Sequence, residues 1–238
     1  MEIHLSIIVP FYNEENRLRL SLPLILAFIR QQPFVTELIL SNDGSTDHSM
    51  AVVSEILKNE SYRVLSEPVN QGKGNAVKRG MLAAQGRYVL FSDADLSTPL
   101  EEILRFIPYF DKGYDIVIGS RSLASSKVEV HQNALRELMG RVFNLSAQCL
   151  TFKNIRDSQC GFKCFTQSAA RALFSLQQIP GFAFDAEILY LAQKMGYRIQ
   201  EEPVLWRNET QSRVKLFSDP IKMFWDLLRI RWIHRRNH

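Results

Sequence analysis

The chain has 238 residues with a formal net charge of +4, and 46% of its residues are hydrophobic and 23% charged. This composition is that of an ordinary globular protein and argues against disorder. No apolar run reaches the roughly 18 residues that a membrane-spanning helix needs, and no basic stretch precedes the first apolar run, so we expect neither a membrane span nor a signal peptide.

Five short apolar runs predict buried strands. Each run is nearly continuous in apolar residues, which is typical of a strand that is covered on both faces. The predicted strands are Leu5–Phe11, Glu37–Ser41, Tyr62–Ser66, Tyr88–Ser92 and Asp115–Ser120.

Helical patterns separate these strands. They cover Glu15–Gln32, Asp47–Asn59, Ala76–Ala84 and Leu100–Phe110. The alternation predicts a single α/β domain with a doubly wound, mostly parallel sheet. The second half is less regular, and its predicted elements are a helix at Asn133–Leu150, a strand near Gly161–Phe165, a helix at Asp185–Met195, a strand at Tyr197–Trp206 and a last helix from about Asp219.

A polar motif follows each of the five strands. In chain order these motifs are "PFYNEEN", "NDGSTD", "NQGKGNA", "DADLSTP" and "GSR". Ligands of open α/β sheets bind beyond the carboxyl ends of the strands. We therefore expect the five motifs to meet at one rim and to form one binding site.

Asp93-Ala94-Asp95 is the motif with the clearest chemistry. If the chain is extended there, residues two apart point to the same side, so both carboxylates face one space. Two like charges so close are costly without a cation, and a divalent ion with oxygen ligands is the natural partner. The alternative is that Asp95 caps the following helix.

Two further motifs suggest nucleotide contacts. Asp43 lies in an Asp-Gly turn, which is either a plain strand-to-helix connection or places its carboxylate against a nucleobase N–H. Two glycines flank Lys73, permit close approach of the backbone to a ligand and leave the lysine free to meet phosphate. The GxxxxGK[ST] and GxGxxG patterns are absent, so the sequence predicts neither a P-loop nucleotidase nor a dinucleotide-dependent oxidoreductase.

Cys160 and Cys164 form a CxxxC pair with no second Cys or His pair nearby. We predict that they are core thiols in a reducing compartment and that they do not bind zinc.

Taken together, the motifs resemble those of inverting family 2 glycosyltransferases with the GT-A fold. They are most similar to the dolichyl- and polyprenyl-phosphate glucosyltransferase branch. The stretches that carry the resemblance are "SIIVPFYNEENRL", "NDGSTD", "NQGKGNAVKRGM", "LFSDADLSTP", "IGSR" and "DSQCGFKCF". The resemblance implies a nucleotide-sugar donor, a divalent metal (Mg²⁺ or Mn²⁺) and a polyprenyl or dolichyl phosphate acceptor.

The resemblance also implies roles at the donor end. It places Pro10, Tyr12 and Glu14 along the nucleoside, Asp43 with Gly44 on the base, and Lys73 and Asp93 near the ribose or diphosphate. Asp95 becomes the principal metal ligand, and Asp93 and Ser97 belong to the same metal site. Ser97 stands where related mannosyltransferases have a Gln ligand.

At the acceptor end the resemblance implies a set of phosphate-binding arginines. These are Arg121, Arg136 or Arg141, and Arg213, which lies in a loop that the family reads as Gly-Ser-Lys-Val and this chain as Gln-Ser-Arg-Val. Asp157, in "RDSQCGF", is either a general base or a group that orients an arginine or the sugar hydroxyls. The implied catalytic residues are Asp95, Arg121 and Asp157.

The resemblance favours glucose and UDP-glucose, because "DSQCGFK" is similar to the glucosyl branch. GDP-mannose or another donor, a soluble saccharide acceptor, and a non-catalytic nucleotide-sugar or lipid-binding protein stay open as alternatives. We expect residues 1–120 to bind the nucleotide sugar, 121–218 to bind the acceptor, and 219–238 to form an amphipathic helix at a membrane interface.

The charge distribution supports that last expectation. Residues 203–238 contain eight basic and three acidic residues, a net +5, whereas the rest of the chain is −1. In the last helix, Ile221, Trp225, Leu228 and Trp232 share one face, which suits a membrane interface. The alternative is that this face packs on the core or on a second subunit. We expect a peripheral protein on the cytoplasmic face of a membrane, with no nucleic-acid partner and an open oligomeric state.

Overall fold

The structure is a computed structural model that describes residues 2–129, 134–207 and 218–235, with only the backbone described for 134–138, 141 and 218–220. In the described residues the strands are β1 (Leu5–Phe11), β2 (Thr36–Asn42), β3 (Arg63–Ser66), β4 (Tyr88–Ser92), β5 (Ile116–Ser120), β6 (Lys127–Val128), β7 (Phe162–Thr166), β8 (Ile199–Pro203) and β9 (Leu205–Trp206). The helices are α1 (Glu15–Gln31), α2 (Ser49–Ile56), α3 (Lys73–Ala83), α4 (Ile103–Asp111, after a 3-10 turn at Leu100–Glu102), α5 (Ala134–Leu150), α6 (Gln167–Leu176), α7 (Phe184–Lys194) and α8 (Ser218–Ile233).

Seven strands form one sheet in the order β3-β2-β1-β4-β7-β5-β8, and β6 pairs with β9 separately. All pairs in the large sheet are parallel except those of β7, which runs antiparallel to β4 and β5. The carboxyl ends of β1 to β5 therefore lie at one rim. Because β7 runs the other way, it begins at that rim and brings Gly161 there.

Helices cover both faces of the sheet, as the sequence predicts. Ile8 of β1 packs in a core layer with residues of α3, α6 and α7, and its neighbours Ile7 and Val9 pack in the opposite layer with residues of α1, α2 and α4. Adjacent residues of a strand point to opposite faces, so a continuous apolar run is buried from both sides. β3 departs from this expectation, because at the sheet edge it is only half-buried.

Several predicted boundaries are wrong. The helix predicted from Asp47 begins at Ser49, because Asp47 instead accepts hydrogen bonds from the backbone N–H groups of Glu15 and Ser49. The single strand predicted over Tyr197–Trp206 is two strands that pair in different sheets, β8 and β9. Neither β6 nor α6 was expected, although Thr166 caps α6 with its hydroxyl, which accepts from Ala169 N at 3.3 Å.

The last helix, α8, has two distinct apolar faces. Its packed face carries Met223, Leu227 and Ile230, which are buried in the core layer that also contains residues of α5 and α7. The face predicted from the sequence is the other one, and Trp225 and Trp232 on it are 65% and 77% exposed. That face therefore does not pack on the described part of this chain. No helix that the structure describes is long and apolar enough to cross a membrane.

Candidate active site

Hydrogen bonds between side chains and backbone join the loop after β1 to the loop after β2. Asn13 Oδ1 accepts a hydrogen bond from Thr46 N at 2.7 Å, and Asn13 N donates to Ser45 Oγ at 2.9 Å. Asn13 adopts a positive φ of 53°, a conformation that Asn tolerates better than most residues. These contacts fix the loop that carries two of the predicted nucleoside-binding residues: Tyr12 is exposed, and Glu14 forms an ion pair with Arg17 at 2.9 Å. The third, Pro10, is buried within β1.

Asp43 is buried at the end of β2 and binds the glycine-rich loop. Its two oxygens accept the backbone N–H groups of Gln71 (3.0 Å) and Gly72 (2.8 Å). The next residue, Gly44, has a φ of +74°, and a Cβ there would lie 2.5 Å from the Val69 carbonyl carbon, so only glycine fits. Carboxylate oxygens hold further lone pairs, so the predicted contact between Asp43 and a base stays a prediction.

Lys73 begins α3 and forms an ion pair with Asp93, with 2.6 Å between Nζ and Oδ1. Burial alone would lower the pKa of the lysine, but the carboxylates of Asp93, Asp185 and Asp95 outweigh that effect and raise it. Lys73 is therefore a firmly protonated cation. Its side chain keeps about a quarter of its surface exposed, at the rim where a ligand would bind.

The Asp-x-Asp motif lies on a turn. β4 ends at Ser92, and Leu96 N donates to Asp93 O at 3.1 Å, so the premise of an extended chain is wrong. Leu96 has a φ of 49°, a strained value for leucine that is common at functional sites. Asp95 Oδ1 accepts from Ser97 N at 2.9 Å and caps no helix, because the 3-10 turn begins at Leu100 without a side-chain cap.

Arg121 and Asp157 form a bidentate ion pair. Arg121 Nε and Nη2 lie 2.7 and 2.8 Å from Oδ2 and Oδ1 of Asp157, and Arg121 N donates to Oδ2 at 2.9 Å. Burial opposes the charge of Asp157, but the guanidinium holds the pKa of this carboxyl below its usual value. Such a carboxylate is a weak base, so the geometry favours the alternative that Asp157 orients Arg121. The Arg121 guanidinium also lies 5.4 Å from the ring centre of Trp206.

Three residues at this rim were not predicted. Gly161 O accepts from Asp93 N at 3.0 Å, and a Cβ on Gly161 would lie 2.0 Å from Asp93 Oδ2. Lys163, almost fully buried in β7, lies 2.5 Å from Asp185 Oδ1, and its Nζ donates to Cys160 O at 2.7 Å. Burial raises the pKa of Asp185, although Lys163 and Lys73 oppose that rise.

Cys160 and Cys164 are buried, as predicted for core thiols. Burial raises the pKa of Cys160 to about 12, so its thiol stays neutral. In the part of the chain that the structure describes, no group of three or more His, Cys, Asp or Glu side chains is arranged to hold a metal ion.

The predicted acceptor arginines are placed unequally. Arg121 lies at the rim, because it directly follows β5. Arg136 and Arg141 belong to α5, where only their backbone is described, and Arg213 lies outside the described residues together with its loop.

Comparison with known proteins agrees with this architecture. Residues 6–174 match Glycosyl transferase family 2. The dolichyl-phosphate beta-glucosyltransferase of Dictyostelium discoideum is 39% identical over 245 residues, covering 97% of this chain and 74% of that protein. The protein of the same name from Saccharomyces cerevisiae is 31% identical over 249 residues, covering 97% of this chain and 75% of its own.

Solved structures show the same fold. Glucosyl-3-phosphoglycerate synthase from Mycobacterium tuberculosis in complex with UDP has a TM-score of 0.72 at 21% identity, covering 96% of this chain and 80% of that one. Its complex with Mn²⁺, UDP and glucosyl-3-phosphoglycerate has a TM-score of 0.66 at 20% identity, covering 98% and 80%. The predicted GT-A fold and family resemblance are thus confirmed, and the chain belongs to glycosyl transferase family 2.

Proposed function

We propose that this chain transfers glucose, with inversion, from UDP-glucose to dolichyl phosphate or a related polyprenyl phosphate. The observation that carries the proposal is the similarity, over nearly the whole chain, to dolichyl-phosphate beta-glucosyltransferases at 31–39% identity. The charged rim supports it, because Lys73, Asp93, Asp95 and Arg121 supply the groups that a diphosphate and a phosphate acceptor need.

The donor diphosphate is expected to lie beside the turn at Asp93–Ser97. Asp95 and Asp93 each use one oxygen in the contacts described, Asp95 with Ser97 N and Asp93 with Lys73, and each has a second oxygen to offer. They would hold Mg²⁺ or Mn²⁺ with ligand and water oxygens completing the shell, and Ser97 contributes a weaker oxygen nearby. Such an ion neutralises the charge of a departing diphosphate. Lys73 adds a fixed positive charge at the same place.

Transfer is expected to be one in-line displacement. An oxygen of the acceptor phosphate forms the bond to the anomeric carbon as the bond to the diphosphate oxygen breaks. A phosphate is already anionic near neutral pH, so it needs positioning more than deprotonation. Arg121, oriented by Asp157 and by the face of Trp206, supplies that positioning with its planar donors.

The donor assignment predicts a difference in thermal stability. UDP-glucose with Mn²⁺ should raise the melting temperature more than GDP-mannose with Mn²⁺, because a ligand present at 100 times its Kd stabilises by about 2.7 kcal/mol. Differential scanning fluorimetry with matched ligand concentrations measures this. The same nucleotides without metal are the control, and a larger shift with GDP-mannose would contradict the glucosyl assignment.

We further propose that α8 docks on the cytoplasmic face of a membrane. Its outer face carries exposed Trp225 and Trp232, and the exposed residues beside them include Arg229, Arg231 and Arg235. The helix α5, which contacts α8, also exposes two apolar side chains, Val142 and Leu145. Tryptophan and arginine together suit the interface, and anionic lipids of the cytoplasmic leaflet add about 1 kcal/mol for each basic residue near the surface.

This proposal predicts reversible binding to vesicles of phosphatidylcholine and phosphatidylserine. The double variant Trp225→Ser, Trp232→Ser should bind much less while keeping its fold, because both side chains are exposed. Salt should weaken the charge contribution by screening and leave most of the tryptophan contribution. Co-sedimentation at low and high salt, with circular dichroism, measures these effects.

The matched control is Leu20→Ser with Leu24→Ser, which removes exposed apolar side chains from α1. It should leave vesicle binding unchanged. Wild-type protein that stays in the supernatant at low salt would contradict docking. In that case, a soluble acceptor that carries a phosphate would better explain the arginines predicted to bind acceptor phosphate.

A further inference from the structure

A fully buried ionisable pair joins α7 to the residue that follows α8. His234 Nε2 lies 2.6 Å from Glu187 Oε1, and neither side chain has exposed surface. Taking such groups out of water is costly, and an apolar pair of similar volume is often at least as stable. The pair therefore calls for a role other than stability alone.

Glu187 also binds a segment of backbone, 177–181, that precedes α7. Its Oε1 accepts from Gln178 N at 2.9 Å, and its Oε2 accepts from Ile179 N at 2.8 Å. One carboxylate thus holds both the end of α8, through His234, and the segment 177–181.

This segment packs directly against residues 72–75, where the glycine-rich loop of the donor site ends and α3 begins. Gln177 Nε2 donates to Gly74 O at 2.9 Å, and Asn75 N donates to Pro180 O at 3.3 Å. A Cβ on Gly72 would lie 2.4 Å from Pro180 O, and one on Gly74 would lie 2.6 Å from Ile179 O. The two backbones are therefore as close as glycine allows, and the position of one fixes the position of the other.

Lys73 lies between these two glycines and forms the ion pair with Asp93. We propose that Glu187 and His234 are positioning residues for the donor site. Their hydrogen bond holds the segment 177–181 against residues 72–75 at the start of α3, and it thereby sets the place of the Lys73 ammonium. The identity of the ligand that Lys73 meets rests on the function proposed above.

The arrangement also links the donor site to α8. His234 follows α8 directly, its N–H donates to Ile230 O at 3.1 Å, and its carbonyl accepts from Lys194 Nζ at 2.5 Å. A displacement of α8 would therefore move His234 and, through it, Glu187. The hydrogen bond between His234 and Glu187 therefore couples the position of α8 on the domain to the geometry of the donor site.

The first test is nucleotide affinity. His234→Ala should weaken the binding of UDP with Mn²⁺ by about tenfold, the size expected when one hydrogen bond to a charged group is lost. His234→Gln should restore most of the affinity, because its amide N–H can reach Glu187 Oε1. Isothermal titration calorimetry on the full chain measures both, and kinetics should show the change in KM for the donor more than in kcat.

The second test needs no nucleotide. Hydrogen exchange followed by mass spectrometry should show faster exchange in His234→Ala at Gln178, Ile179 and Asn75, whose N–H groups depend on this arrangement. The control is Ile25→Ala, which truncates an equally buried side chain of α1 in the opposite core layer. It should lower the melting temperature but leave UDP affinity and local exchange at these amides unchanged.

The outcomes separate this inference from the proposed function. Wild-type protein that fails to bind UDP contradicts the proposed donor, and hydrogen exchange then decides the positioning role by itself. Unchanged exchange at 75, 178 and 179 in His234→Ala overturns the inference. An equal loss of UDP affinity in Ile25→Ala also overturns it, because general destabilisation would then explain the effect.

Discussion

Replacing Asp95 by Asn is expected to reduce sugar transfer roughly 100-fold or more while the protein stays folded. The change removes an anionic ligand from the turn where the diphosphate and metal are proposed to bind. The fold should persist, because Asn Oδ1 can still accept the hydrogen bond from Ser97 N that Asp95 accepts. Turnover at saturating metal and the melting temperature, measured on the same preparation, check both halves of this expectation.

Asp111→Asn is the matched control, since it makes the same chemical change at an exposed position at the end of α4. It should leave turnover and metal dependence as in the wild type. If Asp95→Asn turns over like the control at every metal concentration, Asp95 is not a ligand and the metal assignment fails.

The sequence predicts most of the sheet because burial on both faces leaves a simple pattern. β1 and β4 have the predicted bounds, and β5 starts one residue later than expected. β6 is invisible in the sequence, because a two-residue strand has no pattern of its own and exists only through pairing with β9. α6 was missed although its cap, Thr166, is of the type that begins helices.

The site residues also fall into those that the sequence predicts and those that it does not. Asp43, Lys73, Asp93 and Asp95 follow parallel strands, so topology alone predicts their convergence. Site residues that do not follow a parallel strand could not be predicted. Gly161 reaches Asp93 only because β7 is inserted antiparallel between β4 and β5, and no local pattern gives that direction.

Apart from Gly161, the unpredicted residues share one physical feature, which is a charged side chain where the sequence pattern predicts apolar core. Lys163 lies in a strand and Asp185 and Glu187 lie in a helix, yet all three are buried. Each has a partner distant in sequence: Asp185 for Lys163, and His234 for Glu187. Buried pairs of ionisable side chains are weak evidence for stability, and ionisable groups in unusual surroundings are frequent at functional sites.

Gly161→Ala is expected to reduce transfer about as strongly as Asp95→Asn, although it adds only one methyl group. That carbon would lie 2.0 Å from Asp93 Oδ2, far inside any real contact, so the Asp93 carboxylate must move. Its ion pair with Lys73 and its share in the metal site would change together. Overpacking of this kind costs about 1–3 kcal/mol, so the melting temperature should also fall measurably.

Two comparisons decide whether Asp93 carries the effect. Gly140→Ala is the control for the methyl group itself, because a Cβ there has no atom within 4 Å and Ala favours the helix. The double variant Gly161→Ala, Asp93→Ala removes the clash, so it should recover stability relative to Gly161→Ala but no activity, a non-additive result expected for residues in contact. Equal stability losses with Asp93 present and absent would mean that the methyl group disturbs the β7 backbone instead. Activity would then be lost through the strand that also positions Lys163, and Asp93 would have no special part in the effect.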